Sequence, residues 1–243
     1  MNTESLFFGG VGVKEEGGIW RHELKFVCSA GQLAVIQSRI CALMQRDAHA
    51  GEDGRYTIRS VYFDDAWDSC FSENEDGTDP REKFRIRIYN ASADKITLEL
   101  KQKMRGMTRK QSCPLTRQQC MEMLAGQGPV LNEQMPAVLK KFLLQQKTRR
   151  LLPKVIVEYD RTPWVYRLGN VRVTFDENIH SSCETDRFLE PDFSRRQIMP
   201  AGWHVLEVKY DDFLPDPIRQ ALQLNVLQRT SFSKYYLCRK YRL

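Results

Sequence analysis

Four short segments of this chain place a charged residue at every second position, and that alternation restricts the folds open to it. They read Arg21-His-Glu-Leu-Lys-Phe26, Lys83-Phe-Arg-Ile-Arg-Ile88, Thr97-Leu-Glu-Leu-Lys-Gln-Lys103 and Val205-Leu-Glu-Val-Lys-Tyr210. Successive side chains of a β-strand point to opposite faces, so each segment reads as a strand with one charged and one apolar face. Glu23 and Lys25 share a face, as do Arg85 and Arg87, and Glu99, Lys101 and Lys103. Leu24, Phe26, Phe84, Ile86, Leu98 and Leu206 take the opposite faces. An antiparallel sheet with one wet face gives this pattern. So does a closed barrel that aims every charged face at one lumen. The polar faces here are almost purely Arg, Lys and Glu, and a Glu-x-Lys pair recurs at Glu23/Lys25, Glu99/Lys101 and Glu207/Lys209. Clustered cations with a few carboxylates suit a polyphosphate held together with a divalent metal.

The rest of the sequence narrows the class. At 243 residues, 42% hydrophobic and 28% charged, the chain has the composition of a globular protein with a substantial core. A net charge of +6 favours an anionic partner without saying which. No apolar run is long enough for a transmembrane helix, and the N-terminus lacks the features of a secretory signal. The seven cysteines are scattered without a Cys-x-x-Cys pair, and the four histidines, at 22, 49, 180 and 204, are widely spaced. That argues for free thiols in a reducing, cytoplasmic setting and against a zinc site.

Residues 1–18 read as a flexible lead-in, and residues 19–243 as one domain. Ser29 is expected to cap a helix reaching about Arg46, with Leu33, Ile36, Ile40 and Leu43 on one face. Strands are expected over 55–63, 84–89 and 96–103, the last two joined by a turn at 90–94. Lys103, Arg105, Arg109 and Lys110 then read as a solvated basic loop leading into a strand at 111–115. Thr116 and Pro136 are expected to start helices. Separate strands follow over 154–161, 164–168 and 171–176, with a further strand at 204–211, a helix from Pro217 and a closing helix from Ser233. About eight or nine strands with few intervening helices make an α+β fold with an antiparallel sheet or barrel, not a βαβ fold.

No hydrolase triad, Walker loop or dinucleotide fingerprint is present, and Gly9-Gly-Val-Gly12 lacks the strand-turn-helix setting of a phosphate loop. What remains is the charged strand set. A triphosphate needs several cations for its oxygens, a divalent metal to bridge them and a carboxylate to hold that metal. Nucleic acid is not expected, because aromatic residues do not interleave with the basic strand faces. Asp64 and Asp65 read as turn or helix caps.

In order along the chain stand Arg21-His-Glu-Leu-Lys-Phe26, Arg59-Ser-Val-Tyr-Phe-Asp-Asp65, Lys83-Phe-Arg-Ile-Arg87, Leu98-Glu-Leu-Lys101, Val157-Glu-Tyr-Asp-Arg161, Val171-Arg-Val-Thr-Phe-Asp176, Leu206-Glu-Val-Lys209 and Phe232-Ser-Lys234. This series resembles the vacuolar transporter chaperone (VTC) catalytic domain, the polyphosphate polymerase domain of the triphosphate tunnel metalloenzyme (CYTH-like) superfamily. The likeness runs over residues 20–243. It implies a closed antiparallel β-barrel of about eight strands with flanking helices, its lumen a charged tunnel. By that likeness Lys25, Arg85, Arg87, Lys101, Arg161 and Lys234 are the catalytic cations, and Ser233, Lys209, Lys103 and Tyr159 bind substrate. Tyr159 would stack on a nucleotide base. Glu207 would hold Mn²⁺ or Mg²⁺, with Glu99 and Glu23 nearby.

The implied reaction passes the γ-phosphoryl group of ATP to a growing inorganic polyphosphate chain. The alternatives are a tunnel triphosphatase hydrolysing tripolyphosphate or nucleoside triphosphates, and a non-catalytic module that binds polyphosphate. With no membrane span of its own, the chain is expected to be cytoplasmic, peripheral at the inner face of a membrane where a separate membrane protein is its partner.

Overall fold

The computed structural model describes residues 18–48 and 50–241. The expected lead-in up to residue 17, including the Gly9–Gly12 run, lies outside the described residues, as does His49.

Strand β1 (Arg21–Ser29) is followed by helix α1 (Ala30–Ile40) and the two-residue β2 (Gln45–Arg46). β3 (Tyr56–Asp64) leads through α2 (Ser69–Glu75) into a meander of β4 (Arg81–Tyr89), β5 (Ser92–Met104) and β6 (Met107–Leu115). After α3 (Arg117–Leu124) and α4 (Ala137–Arg149) come the long strands β7 (Leu152–Tyr166) and β8 (Val171–Ser182). The two-residue β9 (Arg196–Gln197), then β10 (Trp203–Tyr210), α5 (Asp216–Leu222) and α6 (Lys234–Lys240) complete the described chain.

Eight of these strands lie in the order β7-β3-β4-β5-β6-β1-β10-β8, and β8 pairs back onto β7. The expected closed antiparallel barrel is therefore present, with β2 and β9 as short additions at its margins. Its apolar faces point outward into a layer of helices. Phe84, Ile86, Ile88, Leu98 and Leu100 pack with Met123, Leu139, Phe142 and Leu143 of α3 and α4. Phe26, Val173, Phe175, Leu206 and Val208 pack with Leu33, Ile36 and Ile40 of α1 and with Ile218 and Leu222 of α5. Because the side-chain period of a strand is two, covering the outside with helices turns every charged face inward.

The seam between β1 and β6 is narrow, with Cα pairing only of Arg21 with Thr108 and His22 with Met107. Beyond it the backbone of β1 is met by the C-terminal segment. Phe26 forms a bridge with Arg229, and Thr230 N–H donates to the Lys25 carbonyl at 2.9 Å.

Several boundaries differ from the expectation, each for a local reason. Ser29 caps α1 in a reciprocal box with Gln32, yet the helix ends at Ile40 and not near Arg46. Met44 takes the buried place expected of Leu43, which is 42% exposed. The β4–β5 turn is only Asn90-Ala91, both at positive φ (51° and 53°), so strand pairing resumes at once between Tyr89 and Ser92. Positive φ at both central residues is the geometry that suits the right-handed twist of a hairpin. Arg105 and Gly106 (φ 50° and 78°) make the same turn, so most of the expected basic loop belongs to strands β5 and β6.

The strands expected on either side of Pro163 are one continuous β7. Pairing of β7 with β3 ends at Arg161 and pairing with β2 begins at Trp164. Pro163 falls between them, where its missing N–H has no ladder partner to lose. Thr116 caps α3 with Gln119 as its reciprocal partner, and Ser233 caps α6 through a 3.3 Å bond from Tyr236 N–H.

Candidate functional site

The inward faces enclose a cavity of about 380 Å³. Eleven Lys and Arg side chains line it against Glu23, Glu82 and Glu207, so the lumen carries a large cationic surplus. Along β4 the cations come at alternate positions, Arg81, Lys83, Arg85 and Arg87, and β5 opposes them in register with Lys103, Lys101 and Glu99. β1 supplies Glu23 and Lys25, β10 Glu207 and Lys209, β7 Tyr159 and Arg161, and the approach to α6 supplies Arg229, Ser233 and Lys234. Every cation and substrate-binding residue inferred from the sequence lines this one space.

The carboxylates divide these cations into three groups. Lys25 Nζ lies 3.1 Å from Glu23 and 3.6 Å from Glu207. Lys101 reaches Glu23 at 2.6 Å, and Lys209 and Arg161 reach Glu207 at 2.9 and 3.3 Å. Lys25 thus bridges Glu23 and Glu207. Burial opposes ionisation of Glu23, but Lys101 and Lys25 outweigh it and hold the carboxyl down at about 2. Burial is likewise overcome at Glu207, where Lys209, Lys25 and Arg161 keep the carboxylate charged.

Glu99 forms a second group, 1% exposed, bonded to Arg85 at 2.6 Å, Lys110 at 2.9 Å and Arg87 at 3.6 Å. It shares no cation with the Glu23–Glu207 pair. The expected carboxylate trio is thus a pair plus a separate residue. Among the described residues no set of three or more His, Cys, Asp or Glu side chains could hold a metal unaided.

The third group centres on Asp176, which the residue-level reading left out. Its carboxylate takes two 2.7 Å bonds from Arg161 and a 2.5 Å contact from Lys234. Asp176 is the last residue of the quoted Val171-Arg-Val-Thr-Phe-Asp176 run, and its place at alternate spacing with Arg172 and Thr174 was the available signal. Tyr62 was also missed; its hydroxyl accepts a 2.9 Å bond from Arg85. Tyr159 is 3% exposed, with Arg161 and Lys234 over its ring at 5.3 and 4.6 Å from the centroid. It forms cation-braced wall.

Arg81, Lys83 and Lys103 have no carboxylate partner among the ion pairs of the described residues. Lys83 bonds Asn74 at 3.1 Å and faces the Tyr235 ring at 4.9 Å. Burial, together with Arg81 and Lys25, brings the Lys83 ammonium down to about 8. Burial also pulls Lys101 down to about 7, with Lys25 and Lys209 adding to the effect and Glu23 opposing it. Such groups gain from a polyanion that replaces lost water and screens like charges. Of the expected basic loop, Lys110 bonds Glu99, while Arg109 bonds Gln102 at 2.8 Å and lies over Trp20 at 4.9 Å.

Asp64 and Asp65 hold structure at the edge of this site. Asp64 accepts from Cys70 N–H and Phe71 N–H in α2 and from the Tyr235 hydroxyl in α6. Asp65 accepts from Trp67 N–H and Ser69 N–H, which is the expected capping role.

A closed antiparallel barrel with an inward cationic surplus and a few buried carboxylates defines the triphosphate tunnel class of fold. Within that class the chain belongs to the VTC domain family, whose model it matches over residues 20–241. Among solved structures it is similar to a "putative adenylate cyclase" from Bacillus halodurans, at 16% identity and a TM-score of 0.50, covering 87% of this chain and 89% of that one. It is also similar to a Hippeastrum "putative adenylyl cyclase" described as revealing a dominant triphosphatase activity. That match has 15% identity and a TM-score of 0.50, covering 92% of this chain and 96% of the other. At these identities the likeness is one of fold. No curated protein matches the chain in sequence. No helix among the described residues is long and apolar enough to cross a membrane.

Proposed function

We propose that the protein is a metal-dependent polyphosphate polymerase that transfers the γ-phosphoryl group of ATP to the end of an inorganic polyphosphate chain within the lumen. The observation that carries this reading is the cationic surplus, eleven Lys and Arg against three Glu around one cavity, in a chain of the VTC domain family. So many inward charges are costly to hold without an anionic occupant. Arg81, Lys83, Arg85 and Arg87 project from one strand at every second residue, a row that suits a linear polyanion better than a compact one.

A divalent cation fits the Glu23–Glu207 pair when it arrives with the substrate. Mg²⁺ is commonly bound by one or two carboxylates together with substrate phosphates and water, and the geometry here offers such a pair. Beside it, Thr174, which is in register with Glu207, has a buried hydroxyl oxygen without a hydrogen-bond partner and so could meet metal-bound water. Glu207 and Glu23 would hold Mn²⁺ or Mg²⁺. The ion would neutralise phosphate oxygens and polarise the transferred group.

The protein's own part is positioning and charge neutralisation, which dominate phosphoryl transfer. Arg85, Arg87 and Arg161 offer planar donors to phosphate oxygens, while Lys25, Lys101 and Lys234 supply compact charge. Ser233 and Lys209 complete the grip, and Lys103 extends it toward the mouth. Glu99 orients Arg85 and Arg87, and Asp176 orients Arg161 and Lys234. No nucleophilic side chain is required, because the acceptor phosphate itself attacks. Residues 19–243 act as one catalytic unit in this reading, in the cytoplasm beside a membrane partner.

The test is to incubate pure protein with ATP and Mn²⁺ and resolve the products on a gel. A polyphosphate ladder is expected; inorganic phosphate without polymer would overturn the reading. That second outcome would favour a tunnel triphosphatase, a reading supported by the activity described for the Hippeastrum protein of similar fold.

A further inference from the structure

Helix α4 turns Leu139, Phe142 and Leu143 toward the barrel and carries its cations elsewhere on its surface. Residues 137–150 include Lys140, Lys141, Lys147, Arg149 and Arg150 and no acidic residue. Lys140, Leu144 and Lys147 follow at spacings of four and three, so they form one stripe along the helix. Leu144 is 56% exposed within that stripe.

Exposed apolar side chains flank the stripe at both ends. The loop leading into α4 runs beside it: a Cβ on Gly128 would strike Leu143 and Gln146, and Lys140 Nζ donates to the Glu133 carbonyl. That loop carries Val130, 84% exposed, and the exposed Leu131. At the other end Arg149 pairs with Asp65 at 2.6 Å, and Asp65 holds the turn that carries Trp67, 73% exposed. Leu152, the register partner of Asp64, is exposed as well. Val130 and Trp67 are the most exposed large apolar side chains among the described residues.

We infer that this face, from Trp67 and Leu152 along α4 to Val130 and Leu131, is a docking surface for an anionic lipid bilayer. The five apolar side chains enter the headgroup layer, while Lys140, Lys147 and Arg150 meet lipid phosphates. Trp suits the headgroup level, and a lysine can lay its apolar stem along the layer with its ammonium on a phosphate. The docking does not depend on which reaction the lumen performs.

Charge and composition favour a bilayer over a protein partner. Asp65 and Glu82 are already paired with Arg149 and Lys141. Lys140, Lys147 and Arg150 have no partner among the ion pairs of the described residues, and Glu133 in the loop sets one negative charge against the three. The cores of protein interfaces are depleted of lysine, whereas here lysines alternate with the apolar groups. Lys and Arg beside Trp and Leu are the makeup of surfaces that lie on anionic membranes. By contrast, the exposed Phe213 stands among Asp211, Asp212 and Asp216, which would repel such a surface.

Flotation of the full chain with phosphatidylcholine vesicles, with and without phosphatidylglycerol, tests the surface. The wild type is expected to bind only the vesicles that contain phosphatidylglycerol, and added salt should weaken that binding. Lys140→Gln/Lys147→Gln should weaken it about 30-fold, at roughly fivefold for each cation held close to an anionic surface. Phe213→Ala should bind like the wild type. Lipids with brominated acyl chains should quench the wild-type tryptophan fluorescence, and Trp67→Phe should lose most of that quenching. Quenching that survives in Trp67→Phe would put another tryptophan in the bilayer and overturn this face. Release from the vesicles by dilute tripolyphosphate would overturn it too, since the lumen would then be what captures the headgroups. Failure of the wild type to bind either vesicle would leave the face to an acidic protein and end the proposal.

Discussion

Arg161 and Asp176 are joined by two parallel hydrogen bonds, Nε to Oδ1 and Nη2 to Oδ2, each 2.7 Å long, inside the barrel wall. The fork fixes the guanidinium plane, and Lys234 from the start of α6 lands on the same carboxylate. Asp176→Asn would leave two buried cations short of their counter-charge. Removing one partner of a buried pair typically costs 3–5 kcal/mol, and we expect a loss of about 3 kcal/mol in urea unfolding. Tripolyphosphate should restore more of that loss than it adds to the wild type. An unchanged midpoint would show that the pair does not support the fold.

Glu207 is the strongest metal candidate by position, and its removal should separate binding from turnover. Glu207→Gln keeps the shape and deletes the charge that Lys25, Lys209 and Arg161 share. Turnover with Mn²⁺ is expected to fall by about 100-fold or more, the scale of losing a preorganised electrostatic contact. Metal-free tripolyphosphate affinity should hold or rise, since three cations lose a competing carboxylate. Equal losses in both measurements would assign Glu207 to phosphate positioning without a metal.

Anion binding should take up protons near pH 8. In the empty lumen Lys101 titrates at about 7 and Lys83 at about 8, so at pH 8 Lys101 is mostly neutral and Lys83 is about half protonated. A bound polyanion favours the charged form of both and raises their pKa values. Proton uptake on binding means that affinity declines as pH rises through this range and is greatest below about 7 on account of these two groups. Calorimetry of tripolyphosphate binding at pH 8, in buffers of different ionisation enthalpy, reads the uptake directly. A binding heat that does not depend on the buffer would refute it.

Ser233 both caps α6 and faces the lumen. Ser233→Ala should lower stability by about 1 kcal/mol, the usual cost of an N-cap lost to Ala. It should also weaken tripolyphosphate binding. Ser233→Asp keeps the cap and should retain the stability, yet weaken binding further by adding a negative charge beside Lys234. Identical binding by both variants would mean that the hydroxyl serves the helix alone.

The charged face of each strand was legible because strand alternation and lumen alternation are the same period. Glu23 with Lys25, Arg85 with Arg87, and Glu207 with Lys209 could each be placed on one strand face from spacing, while their meeting in one lumen followed from the resemblance to the VTC catalytic domain. Three kinds of detail were not legible, for physical reasons. Asn90-Ala91 turns tightly without glycine, and Arg105-Gly106 hides a hairpin within a basic run, so turn chemistry was masked by charge. Pro163 reads as a strand break until its position between the pairings of two neighbours is known. The division of Glu99 from the Glu23–Glu207 pair depends on which strands become neighbours and with what tilt. A single strand's pattern carries no such information.

The narrow β1–β6 seam also bears on when the site comes into existence. The meander β4–β5–β6 is built from contacts close in sequence, which form early and cheaply. β1 has almost no hold on β6 and instead lies along β10, where Ser29 faces Trp203 and His22 faces Tyr210. A chain emerging from the ribosome therefore carries Glu23 and Lys25 without their wall until nearly all of it has been made. The anion site is assembled last, by the meeting of the barrel's earliest and latest strands, and a nascent chain short of β10 has no lumen in which to trap a polyphosphate.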